Sequence, residues 1–252
     1  VVTETVEYFS YEDSPYPVRA DIAEAHREYW RRLAQPGSWW TGADRIAIAA
    51  ELRASRTCNF CKKRKQALSP YTDELDHEVT TDLPAIVVDA IHRIMTDQNR
   101  ITRSWVESNV DSGLGEEAYD ELTGIVVAVI SIDEFNRGLG LDFEPLPEPE
   151  PGEPDGYRPP NLVRDTGFVP MLGKGSAKGQ EADLWPGAFT ANVLRALTLV
   201  PDALRDWKML AGAQYLSMED MGNFVGKDDR AIDRAQMEIV AGRVSSYNEC
   251  FY

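Results

Sequence analysis

Cysteine and histidine are scarce in this chain, with three of each among 252 residues. Three cysteines, only two of them close together, cannot build the disulfide framework of a small secreted domain; they fit a reducing compartment and a reactive or metal-binding role better. Long apolar runs are also missing. The longest, "GIVVAVISI" (124–132) and "PAIVV" (84–88), fall well short of the roughly 20 residues that span a bilayer. The opening "VVTETVEYFSYEDSP" has no basic segment followed by an apolar one, so no secretory signal is visible, and the absence of a first Met fits a processed or trimmed chain. Basic charge is outweighed: 26 Lys and Arg face 42 Asp and Glu, a formal net charge of -16. That balance repels phosphate backbones and anionic lipid, which argues against nucleic acid and membrane surfaces as partners. These absences together predict a cytoplasmic protein. Strand-like alternation is nearly absent too, and hydrophobic residues at 43% are enough for a packed core.

What is present is helical punctuation. Residues 1–16 carry no period and read as an arm. Val18, Ile22, Ala25, Tyr29, Trp30 and Leu33 then recur at helical spacing before "QPGSWW" (35–40) breaks the chain. Thr41, with Asp44 three residues on, offers a capping box for a helix running towards the cysteines. Asp82 and Pro84 mark another start, "ITRSWVESNV" (101–110) a short helix, and "EEAYDELTGIVVAVISIDEFNRGLG" (116–140) a long one with acids at its head and Gly138 at its end. Residues 141–161, rich in Pro and Glu, forbid regular structure and read as a stiff linker, followed by an aperiodic excursion to 186. Helical pattern resumes from 187 to 252. The expected architecture is all-α: an arm (1–16), a first helical repeat (17–140), a linker and excursion (141–186) and a second repeat (187–252).

The two halves align. With Cys58 over Cys250, "RIAIAAELRASRTCNF" lies on "MEIVAGRVSSYNECFY", so that Ile48 meets Val240, Ala49 meets Ala241 and Leu52 meets Val244. Upstream, Trp30 in "REYWRRLAQ" matches Trp207 in "LRDWKMLAG", provided that the second half carries an insertion within 216–229. The pattern predicts an internal duplication.

Chemistry concentrates in "RTCNFCKKRK" (56–65). Cys58 and Cys61 stand three residues apart, one turn apart on a helical face. A helix start and the cations of 62–65 both favour a thiolate, the species that attacks peroxides and disulfides, and the second cysteine can close a protective disulfide. Two other readings stay open: structural cysteines packed on a core, or half of a zinc site, although no second CxxC or His pair sits at finger spacing. The run 62–65 also reads as a solvated helix face.

The two cysteine-bearing segments resemble the alkylhydroperoxidase D / carboxymuconolactone decarboxylase superfamily. The resemblance covers roughly residues 20–140 and 187–252. It implies an all-helical, oligomeric fold and a motif of Glu, CxxC and His, with the Glu twelve residues before the first Cys and the His four after the second. Glu238 stands twelve residues before Cys250; in the first half Ile46 and Lys65 occupy the Glu and His positions. Carried across, Cys61 is the attacking thiol, Cys58 resolves it, and Cys250 and Glu238 are a resolving thiol and a relay residue. The family pattern then places a Cys directly after Tyr252 and a His four beyond. The implied activity is a thiol peroxidase or disulfide oxidoreductase acting on a small-molecule peroxide with a dithiol donor. A decarboxylase or isomerase acting on a small carbonyl substrate and a redox-inactive oligomeric scaffold are the alternatives. No cofactor and no metal are expected, and a homo-oligomer is.

Among other candidates, Glu51 lies about 10 Å along a continuous helix from Cys58, too far for direct proton transfer. His92, in the apolar "DAIHRIM", reads as a core or interface residue, with a site ligand as the sharper alternative. The acidic neighbours of His26 and His77 place both on the surface.

Overall fold

The computed structural model describes residues 7–70, 76–185, 190–222, 230–248 and 250. It is mostly helical. Among the described residues the helices are α1 (Ala20–Ala34), α2 (Gly42–Ser55), α3 (Asn59–Gln66), α4 (Ala85–Thr96), α5 (Arg103–Asn109), α6 (Glu116–Leu139), α7 (Asn192–Arg195), α8 (Pro201–Gln214) and α9 (Arg234–Tyr247). A single antiparallel pair among the described residues, β1 (Leu162–Val163) and β2 (Met171–Leu172), sets Leu162 opposite Leu172. No helix among the described residues is long and apolar enough to cross a membrane.

Local chemistry fixes the boundaries. Thr41 and Asp44 form the expected capping box, which pairs two of the amide N–H groups that a helix start leaves orphaned. The start of α4 falls on Pro84 as N-cap rather than on Asp82. The long helix runs two residues past the expected stop and ends on Gly140, whose φ of 75° is the left-handed turn that a residue without Cβ adopts at no steric cost.

α2 is the centre of the bundle and packs on α1, α4 and α6, while α8 closes over α1 and α6. Trp30, Leu33, Ile48, Leu52, Ile91, Leu122, Val126 and Ile132 are fully buried where these helices meet. At about 1.5–3 kcal/mol per large apolar side chain, this layer dominates the favourable side of folding.

The Pro-rich stretch is extended, as its composition requires, but it is bound along its length instead of spanning open space. Glu144 O accepts from Arg53 Nη1 and Pro145 O from Trp30 Nε1, both at 2.8 Å. Glu150 N donates to Ala34 O and Gly156 N to Ser38 O, also at 2.8 Å. The stretch is a strap across the ends of α1 and α2. The aligned positions of the two halves differ in setting: Ile48 and Leu52 are fully buried, whereas Val240 and Val244 on α9 are more than half exposed. Part of the expected insertion (223–229) and residues 251–252 lie outside the described residues.

Candidate functional site

Cys58 is the N-cap residue of α3, and Cys61 sits in its first turn. Lys62 N bonds back to Cys58 O at 3.2 Å, which holds the two cysteines on one turn. Both thiols are free and buried. Of the four basic residues that follow, Lys62, Lys63 and Lys65 are exposed, but Arg64 is buried and turned inward. Its Nη2 approaches Cys61 Sγ at 4.0 Å.

Two histidines complete the cluster. His92 comes from α4 and is fully buried; its Nδ1 lies 3.2 Å from Cys61 Sγ. His77 enters from the irregular segment before α4. Its Nδ1 faces both sulfurs, at 3.7 Å from Cys58 and 3.6 Å from Cys61. The expectation of a surface position for His77 is therefore overturned: its side chain is only 3% exposed, because Asp89 and the thiols give its ring polar partners inside. His26 is buried as well, between Tyr11, Gln214 and the rings of Phe9 and Phe135.

Each site histidine is oriented from behind by a carboxylate. His92 Nε2 lies 2.9 Å from Glu51 Oε1, and His77 Nε2 lies 3.0 Å from Asp89 Oδ1. An ionised carboxylate only accepts, so each Nε2 carries the proton and each Nδ1 is directed at sulfur. Glu51 Oε2 accepts three further bonds, from Thr80 N, Thr80 Oγ1 and Thr81 Oγ1. Asp89 also receives the Arg64 guanidinium.

These contacts set the protonation states. Burial works to raise the carboxyls of Glu51 and Asp89. It is outweighed by His92 and the two threonines for Glu51, and by His77 and Arg64 for Asp89, so both are held below their ordinary values. For His77 burial is likewise outweighed, by Asp89 and the two cysteines, and the ring is pushed up to about 9. Burial lowers His92, with Glu51 partly opposing it. Cys58 is lowered despite its burial, through hydrogen bonds from the Cys61 backbone and His77. The metal-free site thus holds a cationic His77 beside Cys58, favours the thiolate form of that cysteine, and favours a neutral His92 whose lone pair faces Cys61.

The four donor atoms of Cys58, Cys61, His77 and His92 all lie within 4.8 Å of one another, which is a candidate metal-ligand set. The half of a zinc site missing at finger spacing is supplied by His77 and His92, sixteen residues beyond Cys61 and then fifteen more. The sequence pattern marked Arg64 only as one of the cations of 62–65 and gave Asp89 no role. A usable signal existed in Asp89 and His92, three apart on one apolar helix.

Glu238 and Cys250 lie elsewhere in their contacts. Glu238, on α9, accepts from Tyr215 Oη at 2.7 Å and Arg234 Nε at 2.6 Å. Cys250 is exposed, and its backbone N–H bonds Ser245 O. Neither joins the cluster of Cys58 and Cys61.

No protein-family model, curated protein or solved structure matches this chain.

Proposed function

We propose that the chain is a thiol-dependent peroxidase of the alkylhydroperoxidase D-like type, with its chemistry at Cys58 and Cys61. One observation carries the reading: a buried carboxylate–imidazole–thiol line runs from Glu51 through His92 to Cys61, at 2.9 and 3.2 Å. This is the arrangement in which a base, oriented by a third group, activates a nucleophile. It supplies, from α2 and α4, the acid and the imidazole that the family motif places at positions held here by Ile46 and Lys65.

Cys61 gives its proton to His92 Nδ1, and its sulfur attacks one peroxide oxygen. The O–O bond breaks, and the departing oxygen takes the proton from His92 as it leaves. Cys61 is left as a sulfenic acid. Cys58, as thiolate beside His77, attacks that sulfur and forms the disulfide, and the released hydroxide takes the His77 proton to become water. A dithiol donor then restores both thiols. Burial of the pair favours an oxidant the size of hydrogen peroxide over a protein disulfide.

Glu238 and Cys250 keep the family's twelve-residue spacing, so the same proposal assigns them to a second, duplicated site. Homo-oligomer assembly is supported by the exposed Ile239, Val240, Val244 and Tyr247 of α9, and light scattering tests it.

The deciding experiment is peroxide consumption with a dithiol donor by wild type, Cys61→Ser, Cys58→Ser and Cys250→Ser. Loss in the first two variants with retention in the third supports chemistry at the first pair. Wild-type turnover in Cys61→Ser would refute it.

A further inference from the structure

The same cluster carries a second use. We propose that Cys58, Cys61, His77 and His92 bind one Zn²⁺ in tetrahedral S₂N₂ coordination, and that oxidation of the two thiols to a disulfide releases it. The metal-binding half stands on geometry alone. The release half rests on the peroxide reading above.

Distances come first. Zinc bonds of about 2.3 Å to thiolate and 2.0–2.1 Å to imidazole, at tetrahedral angles, require sulfur–nitrogen edges of about 3.6 Å. Three of the four sulfur–nitrogen edges here are 3.7, 3.6 and 3.2 Å, and all four donor atoms lie within 4.8 Å of one another.

Orientation is the second argument. Both rings turn Nδ1 inward and give Nε2 to a buried carboxylate, Asp89 for His77 and Glu51 for His92. A metal-bound histidine is ordinarily held in this way, because the outer carboxylate fixes the tautomer and makes the inner nitrogen more basic.

Third, hydrogen bonds leave the cluster incomplete. His77 Nδ1 is nearly equidistant from two sulfurs, and a single N–H cannot serve both well. Cys61 Sγ is shared between the two inward nitrogens, 3.6 Å from His77 Nδ1 and 3.2 Å from His92 Nδ1. A cation at the centre pairs all four lone pairs at once.

Charge agrees. Two thiolates neutralise a dication, and the charges of Arg64 and Arg93, 2.5 and 3.9 Å from Asp89, equal in number those of the outer carboxylates Asp89 and Glu51, the latter held by His92 and the threonines. No net charge is then buried, which removes the main penalty for an ionic site in the core. Soft sulfur with imidazole in a four-donor set selects zinc over magnesium or calcium, which take oxygen ligands.

The metal and the disulfide need the same two sulfurs, so they exclude each other. One H₂O₂ takes two electrons from the zinc-bound thiolates, and with two protons becomes two waters; one disulfide forms and one Zn²⁺ leaves.

The test uses the reduced full chain, stripped of metal with a chelator. Co²⁺ is titrated in first, and Zn²⁺ then displaces it. The expected result is one Co²⁺ per chain, with thiolate charge-transfer bands and intense tetrahedral d–d absorption, lost when zinc is added. X-ray absorption on the zinc-loaded wild type should give two sulfur and two nitrogen ligands, so the ligand set is read without any variant having to fold. Peroxide should then release zinc to a chromogenic chelator at one ion per two thiols lost. A wild-type protein that binds no Co²⁺, or binds it with oxygen ligands only, overturns the metal site. Zinc that stays bound after both thiols are oxidised overturns the release. Peroxidase activity of the metal-free protein is measured separately, so failure of the metal site and failure of the peroxidase reading give different results.

Discussion

Glu51→Gln puts the relay under direct strain, since the substitution keeps the shape and removes only the charge. Glu51 is fully buried and its two oxygens have different tasks. Oε1 accepts from His92 Nε2 at 2.9 Å. Oε2 accepts from Thr80 N at 3.1 Å, Thr80 Oγ1 at 3.1 Å and Thr81 Oγ1 at 2.8 Å. A glutamine can satisfy one side or the other. If its carbonyl faces His92, its NH₂ meets the threonines. Two hydroxyls can rotate to accept, but the Thr80 N–H cannot, and a buried unpaired donor costs about 1–3 kcal/mol of stability. If the amide flips, NH₂ faces His92 Nε2 and forces the proton onto Nδ1. His92 then has no lone pair for Cys61.

Both orientations damage the chemistry, the first by removing the anion that stabilises the imidazolium and the second by reversing the tautomer. A general base lost in this way typically costs 10²–10⁴-fold, a barrier increase of about 3–5 kcal/mol. The assay is single-turnover oxidation of the metal-free, reduced protein by hydrogen peroxide, followed by stopped flow, beside urea unfolding of the same samples. Thr81→Val is the control: it removes one bond to Oε2 and leaves His92 untouched, so stability should fall by about 1 kcal/mol with little change in rate. A Glu51→Gln protein that remains folded and oxidises within threefold of wild type would refute the relay.

Three further outcomes follow from other parts of the molecule. His26 is neutral in its buried setting, where desolvation lowers it to about 4 against about 6.5 when unfolded. The unfolded chain therefore binds the extra proton between those values, and stability falls by about 3 kcal/mol as pH drops through that window; in urea titrations the advantage of wild type over His26→Gln should shrink from pH 7 to pH 4, and a constant gap would show that His26 does not titrate as described. Arg45→Met strands the buried carboxylate of Glu121, now paired at 2.6 Å, and should cost about 3–5 kcal/mol by chemical denaturation, with Arg45→Met/Glu121→Leu recovering much of it. In Gly42→Ala the new Cβ would lie 2.2 Å from Ala34 O and 2.7 Å from Glu150 O, both backbone atoms, so α1, α2 and the strap must separate; calorimetry should show a loss of about 1–3 kcal/mol.

The helices were legible where the signal is local. The Thr41–Asp44 box, the short helix within 101–110 and the acidic start of the helix at Glu116 each act over a few residues, and each appears in the structure. The strap was half legible: its prolines exclude regular structure, but nothing in them shows that its carbonyls answer Trp30 and Arg53. Acidic neighbours misplaced His77 because they were read as solvent-seeking groups. In the structure Glu78 reaches Asn59 at the surface while the His77 ring points the other way.

Glu51 shows most clearly why the site was hidden. Measured along a continuous helix it would be too far from Cys58 to exchange a proton, but α2 ends at Ser55 and Cys58 caps a separate helix, α3. α2 packs against α4, and this contact places His92 between Glu51 and Cys61. The relay is a property of the α2–α4 interface, not of a spacing within either helix. A fixed offset between acid and cysteine is only one way to bring the two together; here helix packing, stabilised by Leu52 and Ile91 in the same core, does the positioning instead. Mutations that loosen that packing should therefore lower thiol reactivity without touching any polar atom of the site. Ile91→Ala tests this: it should cost about 2–5 kcal/mol and slow peroxide oxidation as well, whereas an equally destabilising change such as Arg45→Met should leave the rate of the folded fraction unchanged.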